Sequence, residues 1–253
     1  MLRGKIYLDT DAEGRYIIPV KLNAAQLTER VAITVVYEAG VEGPVRAYSV
    51  RDYADHVLAD TAYEKAYPGI CELLRAMLNY GAMAQEYFDY ATDNLANAGI
   101  YTAENNPALN STVTVGDSMA VTGTVDGIGA SGWMLSLLSK TTARFYFTLA
   151  EGHNISAYTF SILKPNGETV AVTPAKDGER YRIDVANIGA GELDATYTVL
   201  VTDGTDTLEI SFTALCYAST VLAGGSSNPE LINLAKALKL YSDAANAYAD
   251  RNS

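Results

Sequence analysis

Few residues in this chain are of a type that does chemistry, and their spacing limits what each can do. Asp9, Asp11 and Glu13, followed by Gly14, read like the opening of a calcium loop, where oxygen ligands sit on alternate residues. Such a loop needs a bidentate glutamate at its twelfth position. Val20 stands there, so the stretch reads as an acidic turn. His56 and His153 lie far apart and belong to no cluster with metal-ligand spacing, which predicts neither a metal site nor a general base. His56 reads as a helix-surface residue and His153 as a loop residue beside Asn154. Glu192 and Asp194 are close enough to act as paired carboxylates, but an acidic chain produces such pairs by chance. The glycine-rich run from Gly127 to Gly132 is not a nucleophile elbow and lacks the lysine of a phosphate loop, so it reads as a flexible hairpin. Cys71 and Cys216 sit inside apolar helical patterns, as buried free thiols do. No constellation points to catalysis, and the chain is expected to be no enzyme, with no catalytic residues, no metal and no cofactor.

The aromatic residues are the richer group. The chain has 18 tyrosines and one tryptophan. Trp133, Tyr146, Tyr158 and Tyr197 fall on strand patterns. Packed inward they are core. Exposed as a flat group they would stack on sugar rings or anchor a protein, which makes them candidate ligand-binding residues. A second candidate set, for a protein partner, is Arg51, Asp55, Arg75, Glu86 and Asp89, which fall on polar positions of predicted helices.

Behind these side chains lies an internal repeat. The segment Tyr16–Tyr87 aligns with Tyr181–Tyr248 with small slips of register. Tyr16, Ile18 and Val20 stand over Tyr181, Ile183 and Val185, and Leu27 over Leu193. Tyr53, Val57 and Leu58 stand over Tyr217, Val221 and Leu222. Leu73, Ala76, Tyr80, Ala84 and Tyr87 stand over Leu234, Ala237, Tyr241, Ala245 and Tyr248. A repeated order of strands then helices predicts tandem modules. The first copy has no counterpart to the strand-rich stretch before Tyr181, so it reads as a partial module.

Alternating patterns at Lys5–Leu8, Tyr16–Lys21 and Val31–Glu38 predict strands, with turns at Asp11–Gly14 and Gly40–Pro44. Helices are predicted from about Ser49 to Ala59 and from Pro68 to about Ala96. Gly81 inside the second of these is expected where another backbone comes close. From Ser111 the chain turns to short strands near Val113–Val115, Met119–Val125, Gly132–Leu138, Ala143–Leu149, Ala157–Leu163, Thr169–Thr173, Tyr181–Val185, Tyr197–Thr202 and Thr207–Thr213. Helices at Thr213–Ala223 and Pro229–Ala249 follow. The predicted fold class is α+β: antiparallel β-sandwich (Ig-like) modules, each followed by a helical hairpin. The predicted division is a partial first module at 1–98, a linker at 99–110 and a second module at 111–253, with its sandwich at 111–213 and helices at 213–250.

The 253 residues carry a net charge of −12, spread evenly, which repels phosphate backbones and anionic lipid and argues against nucleic acid as a partner. No run reaches the roughly 18 apolar residues a spanning helix needs, so no membrane insertion is expected. Met1-Leu2-Arg3-Gly4-Lys5 leads straight into a strand pattern, so no secretion signal is expected in this stretch.

Tyr48-Ser49-Val50-Arg51-Asp52-Tyr53, the run Leu74–Tyr90 and Asp93-Asn94-Leu95-Ala96-Asn97 resemble a module of large extracellular proteins of gut Clostridia. Ile188–Asp194 and the helix Ala237–Tyr248 resemble the unit that neighbours it. The resemblance covers most of the chain after Tyr48. It implies an extracellular or cell-surface segment of a multi-modular protein, with no catalytic residues to carry over. The expected ligand is an extracellular glycan or a host glycoprotein, beside neighbouring modules of the parent protein. Two other roles stay open, an adhesin for a host protein such as immunoglobulin and a spacer between functional domains.

Overall fold

The computed structural model describes residue 14 and residues 20–37, 40–116, 118–137 and 140–253. The chain is α+β with antiparallel sheets. A 3-10 turn at Ala24–Gln26 leads to β1 (Val31–Ile33) and β2 (Arg46–Tyr48), which pair as a two-stranded sheet. Helices α1 (Val50–Ala59), α2 (Thr61–Ala66) and α3 (Ile70–Phe88) follow, then the short α4 (Pro107–Asn110). The strand-rich part runs through β3 (Ala120–Thr122), β4 (Ile128–Ser136), β5 (Thr142–Leu149), β6 (Thr159–Leu163), β7 (Thr169–Val172), β8 (Ala175–Asp177), β9 (Arg180–Ala186), β10 (Tyr197–Thr202) and β11 (Thr207–Phe212). These make a five-stranded sheet in the order β3-β11-β10-β6-β7 and a four-stranded sheet in the order β4-β5-β9-β8. The chain then passes through α5 (Leu215–Thr220) and a widened π turn at Val221–Gly225 to α6 (Pro229–Asn252).

Alternation explains the two larger sheets. Along β10 every second residue, Tyr197, Val199 and Val201, is buried, and along β5 it is Ala143, Phe145 and Phe147. The buried faces meet ring to ring. Phe145 of the four-stranded sheet lies 4.6 Å from Phe212 of the five-stranded one, and Phe147 lies 5.6 Å from Phe160. Such tilted and edge-on pairs suit the ring quadrupoles.

The helices then tie the two halves together. Helix α3 starts at Gly69, whose N–H donates to Glu64, as does that of Cys71. Pro229 opens α6 after Asn228, whose Oδ1 accepts from the Leu231 N–H, as the N-terminal capping pattern predicts. The two long helices pack on each other, with Tyr80 and Tyr241 stacked at 5.6 Å. Gly81 lies at a close approach: a Cβ there would stand 2.5 Å from a Leu27 methyl and 3.1 Å from the Ala24 carbonyl oxygen. Leu27, Leu78, Leu234 and Leu238 belong to one continuous core, with Phe145 and Phe212.

Several boundaries differ from the sequence reading. The predicted helix to Ala96 stops at Phe88, because Asp89 and Ala91 adopt left-handed backbone and turn the chain back onto α3. The stretch 99–110, predicted as a linker, holds the short α4 and the buried Asn106. Val113–Val115 is not a strand; the Val115 carbonyl accepts from Ser219 Oγ instead. Strand β4 starts inside the glycine-rich run predicted as a hairpin, and the turn is confined to Asp126-Gly127. The strand predicted at Val31–Glu38 is three residues long, and β2, α2 and β8 were not predicted. The predicted strand Lys5–Leu8, the turn before Gly14, most of Tyr16–Lys21 and the calcium-like Asp9, Asp11 and Glu13 lie outside the described residues.

Candidate functional site

Corresponding positions of the two halves make corresponding bonds. In the first half, the Asn23 N–H donates to Gln26 Oε1 at 3.1 Å, and the Arg51 N–H donates to the Leu27 carbonyl at 2.9 Å. In the second, the Gly189 N–H donates to Glu192 Oε2 at 3.1 Å, and the Leu215 N–H donates to the Leu193 carbonyl at 3.1 Å. At the start of the first helix, the Ser49 N–H donates to Asp52 Oδ2; at the same place in the second half, the Thr213 N–H meets Cys216 Sγ. Each half is thus a 3-10 turn, an antiparallel strand pair and a helix hydrogen-bonded back to the leucine after the turn.

What covers the strand pair differs. In the second half, the four-stranded sheet lies over β10 and β11. Val199 and Val201 have no exposed surface, Phe212 is 1% exposed, and Trp133 stacks on Phe145 and meets Tyr217 edge-on. In the first half, the corresponding Ile33, Val35 and Tyr48 are 38%, 59% and 52% exposed. Tyr53, the counterpart of Tyr217, is exposed as well. Val20, Leu22, Val31, Ile33, Tyr48, Ser49, Val50 and Tyr53 line an open, largely apolar groove of about 390 Å³. Val36, Tyr37, Val41 and Val45 extend the apolar surface around the β1–β2 turn. This face is the candidate site. A second cavity, of about 190 Å³, lies where the halves meet and is lined by Leu27, Met77, Tyr80, Thr141 and Tyr241 among others.

The residues singled out from sequence are dispersed. Trp133 packs between Phe145, Phe212 and Tyr217. Tyr197 is buried and stacks on Phe212, and burial pushes its hydroxyl up to about 12, beside Glu192. Tyr158 is buried too; its hydroxyl donates to the Asp126 carbonyl and lies 2.9 Å from His153 Nδ1. Tyr146 is half-buried on the outer face of its sheet, with the Arg180 guanidinium 4.1 Å from its ring centre. These four do not form one flat exposed group, because Trp133, Tyr158 and Tyr197 spend their surfaces on the sheet packing. Of the second set, Asp55, Arg75 and Asp89 are exposed. Arg51 is spent internally, donating to the Ala96 and Ala98 carbonyls and pairing with Asp55. Glu86 is half-buried, and burial raises its carboxyl above the ordinary range.

The histidines are paired with tyrosines. His56, on the exposed face of α1, has Nε2 3.1 Å from the Tyr63 hydroxyl, and His153, in a loop beside Asn154 as expected, has Nδ1 2.9 Å from the Tyr158 hydroxyl. Cys216 is buried, Cys71 half-buried, and both are free thiols. Among the described residues, no three His, Cys, Asp or Glu side chains come together at metal-binding distance. Among them too, no helix is long and apolar enough to cross a membrane.

Sequence reasoning missed what the polar residues of the Leu74–Asn97 stretch do. Buried Asn79 donates to Asn106 Oδ1 and accepts from Asn97 Nδ2. Gln85, fully buried, accepts from the Ala96 N–H and donates to the Asn94 carbonyl. These amides fasten the chain after α3 to the helix. Amides inside a helical apolar stripe were the available signal, since a buried amide needs partners.

Comparison with protein families, with characterised proteins and with solved structures finds no match.

Proposed function

We propose that the chain is a non-catalytic, tandem-module segment of an extracellular, multi-modular bacterial surface protein, and that it works by docking protein. The duplication is supported by the paired bonds at Leu27 and Leu193 and by the stacking of Tyr80 on its counterpart Tyr241. An Ig-like sandwich in the second module is supported by two antiparallel sheets meeting through Phe145, Phe147, Phe160 and Phe212.

One observation carries the docking role. The face around Ile33, Tyr48 and Tyr53 is apolar and exposed in an otherwise acidic chain. Contiguous apolar patches on a folded protein mark contact surfaces. A protein ligand, including a host glycoprotein such as immunoglobulin, fits such a face better than a glycan, whose platform would need exposed, coplanar rings.

The test is a binding screen of the purified segment against two panels, plant and host polysaccharides and human serum and mucosal glycoproteins. The expected result is a glycoprotein ligand that still binds after deglycosylation and whose affinity falls at least tenfold with Ile33→Asp. Binding to polysaccharide alone, unchanged by Ile33→Asp, overturns the reading.

A further inference from the structure

We propose that β4 is the pairing strand of a homodimer. Its free edge takes the β4 strand of a second copy of this chain, antiparallel about a two-fold axis at Met134, so that the two four-stranded sheets join edge to edge.

The edges of the two larger sheets are β3, β7, β8 and β4, and the first three carry features that block pairing. Strands β3 and β8 are three residues long and β7 is four. Pro174 separates β7 from β8, and Lys176 and Asp177 put charge on β8. Shortness, proline and charge, lysine above all, keep edge strands from pairing with other chains. Strand β4 has none of these. It is nine residues long and holds no charge and no proline, in a chain of net charge −12. Its one guard is the bulge between Ala130 and Gly132. Past the bulge, residues 132–136 lie in unbroken register on β5. On the other side β4 has no paired strand among the described residues. Ala130, Ser131, Gly132 and Met134 are exposed there, and a Cβ placed at Gly129 or Gly132 meets no atom within 4 Å.

The residues at that edge select the occupant. Leu135 is buried in the sandwich, and Trp133 stacks on Phe145 while staying half-buried. Met134 points outward and is 40% exposed. Across from it, Arg144 is neutralised in place by Asp184 through bonds of 2.7 and 2.9 Å. Antiparallel pairing about Met134 sets Trp133 beside the partner's Leu135 on the core side. On the outer side it sets Met134 against the partner's Met134. Apolar cross-strand pairs of this kind hold strands together. The same residues serve as both sides of the contact, as a two-fold interface requires. An acidic chain repels its copy where carboxylates meet, and this strand carries none. Assembly stops at two, because the far edge of the sheet, β8, is short and charged.

The test is sedimentation of the full chain over a range of concentrations. Expected is a monomer–dimer equilibrium with Kd of roughly 1–100 µM, as a small contact gives. Met134→Lys puts like charges face to face at the axis and should weaken the dimer at least tenfold. It should leave Tm within about 2 °C of the parent, because the position is exposed in the monomer. Val121→Lys, on the exposed edge strand β3, should leave the dimer unchanged. In a Cys71→Ser background, Met134→Cys should form a disulfide-linked dimer under mild oxidation, because the position meets its own copy. Val121→Cys should stay unlinked under the same conditions. A chain that remains monomeric up to about 1 mM overturns the proposal, as does a dimer that Met134→Lys leaves intact. Equal cross-linking at 121 and 134 overturns it as well. A dimer lost with Ile33→Asp and kept with Met134→Lys places the contact on the β1–β2 face and overturns it too.

Discussion

Ile33 and Val199 occupy matching places on matching strands, yet one is 38% exposed and the other has no exposed surface. The local frame is shared: a 3-10 turn, a strand pair and a helix whose first N–H groups reach back to Leu27 or Leu193. The difference lies in the layer above. The second half has a four-stranded sheet that brings Trp133 and Phe145 down onto Phe212 of the strand pair, and Phe147 onto Phe160 of the neighbouring β6. Burial of the first strand pair is therefore a property of the covering layer and not of the strands. Among the described residues, the first strand pair is left with an exposed apolar face.

Substitutions at matching positions separate the halves most strongly. Phe212→Ala should cost about 3–5 kcal/mol by urea unfolding, the usual range for a buried phenylalanine, because it opens the packing under Phe145 and Tyr197. Tyr48→Ala, at the matching place, should stay within about 0.5 kcal/mol of the parent, as exposed changes do. Equal losses would break the comparison.

The matching pair Gly81 and Ser242 gives the next effect, with opposite signs. Gly81→Ala forces a methyl against Leu27 and the Ala24 carbonyl and should cost about 1–3 kcal/mol of overpacking. Ser242 Oγ is buried with no hydrogen-bond partner among the described residues, so Ser242→Ala should stabilise by about 1 kcal/mol. Thermal unfolding of the two variants reads both signs.

A smaller effect concerns Glu64, which only the first half has. The N–H groups of Cys71 and Gly69 hold its carboxyl below the ordinary value of 4.5. A lowered carboxylate contributes stability in full above that ordinary value and loses it as the pH falls through the lower folded-state value. Glu64→Gln should therefore lower stability at neutral pH by that contribution and flatten the acid limb below about pH 4.5, with parent and variant converging at low pH. Glu64 is only half-buried, and solvent screening keeps this contribution small. An acid limb unchanged by the substitution would show that the carboxylate does not cap α3.

Much of the frame was legible because apolar periodicity is a local signal. The steps at Tyr80, Ala84 and Tyr87 and at Tyr241, Ala245 and Tyr248 marked the two long helices, and β10 falls on its predicted bounds. The end of α3 was not legible. Ala91-Thr92-Asp93-Asn94 reads as a weak helix continuation, whereas Gln85 captures Asn94 and Ala96 and folds that stretch back. The candidate site was legible only in outline. Alternation in β10 and in Val31–Val35 looks the same from sequence, since a pattern says which residues share a face and not what lies on it. The same limit applied to Trp133, Tyr158 and Tyr197, whose exposure depends on the opposing sheet.

Thiol labelling tests the account most directly. In a Cys71→Ser background, Ile33→Cys and Val199→Cys are compared for reaction with a small maleimide under native conditions. The account predicts that the thiol introduced at 33 reacts within about tenfold of a free peptide thiol, and that the one introduced at 199 reacts only when the protein unfolds. Comparable protection at both positions would show that the first strand pair already carries its cover within this chain, and would contradict the open docking face.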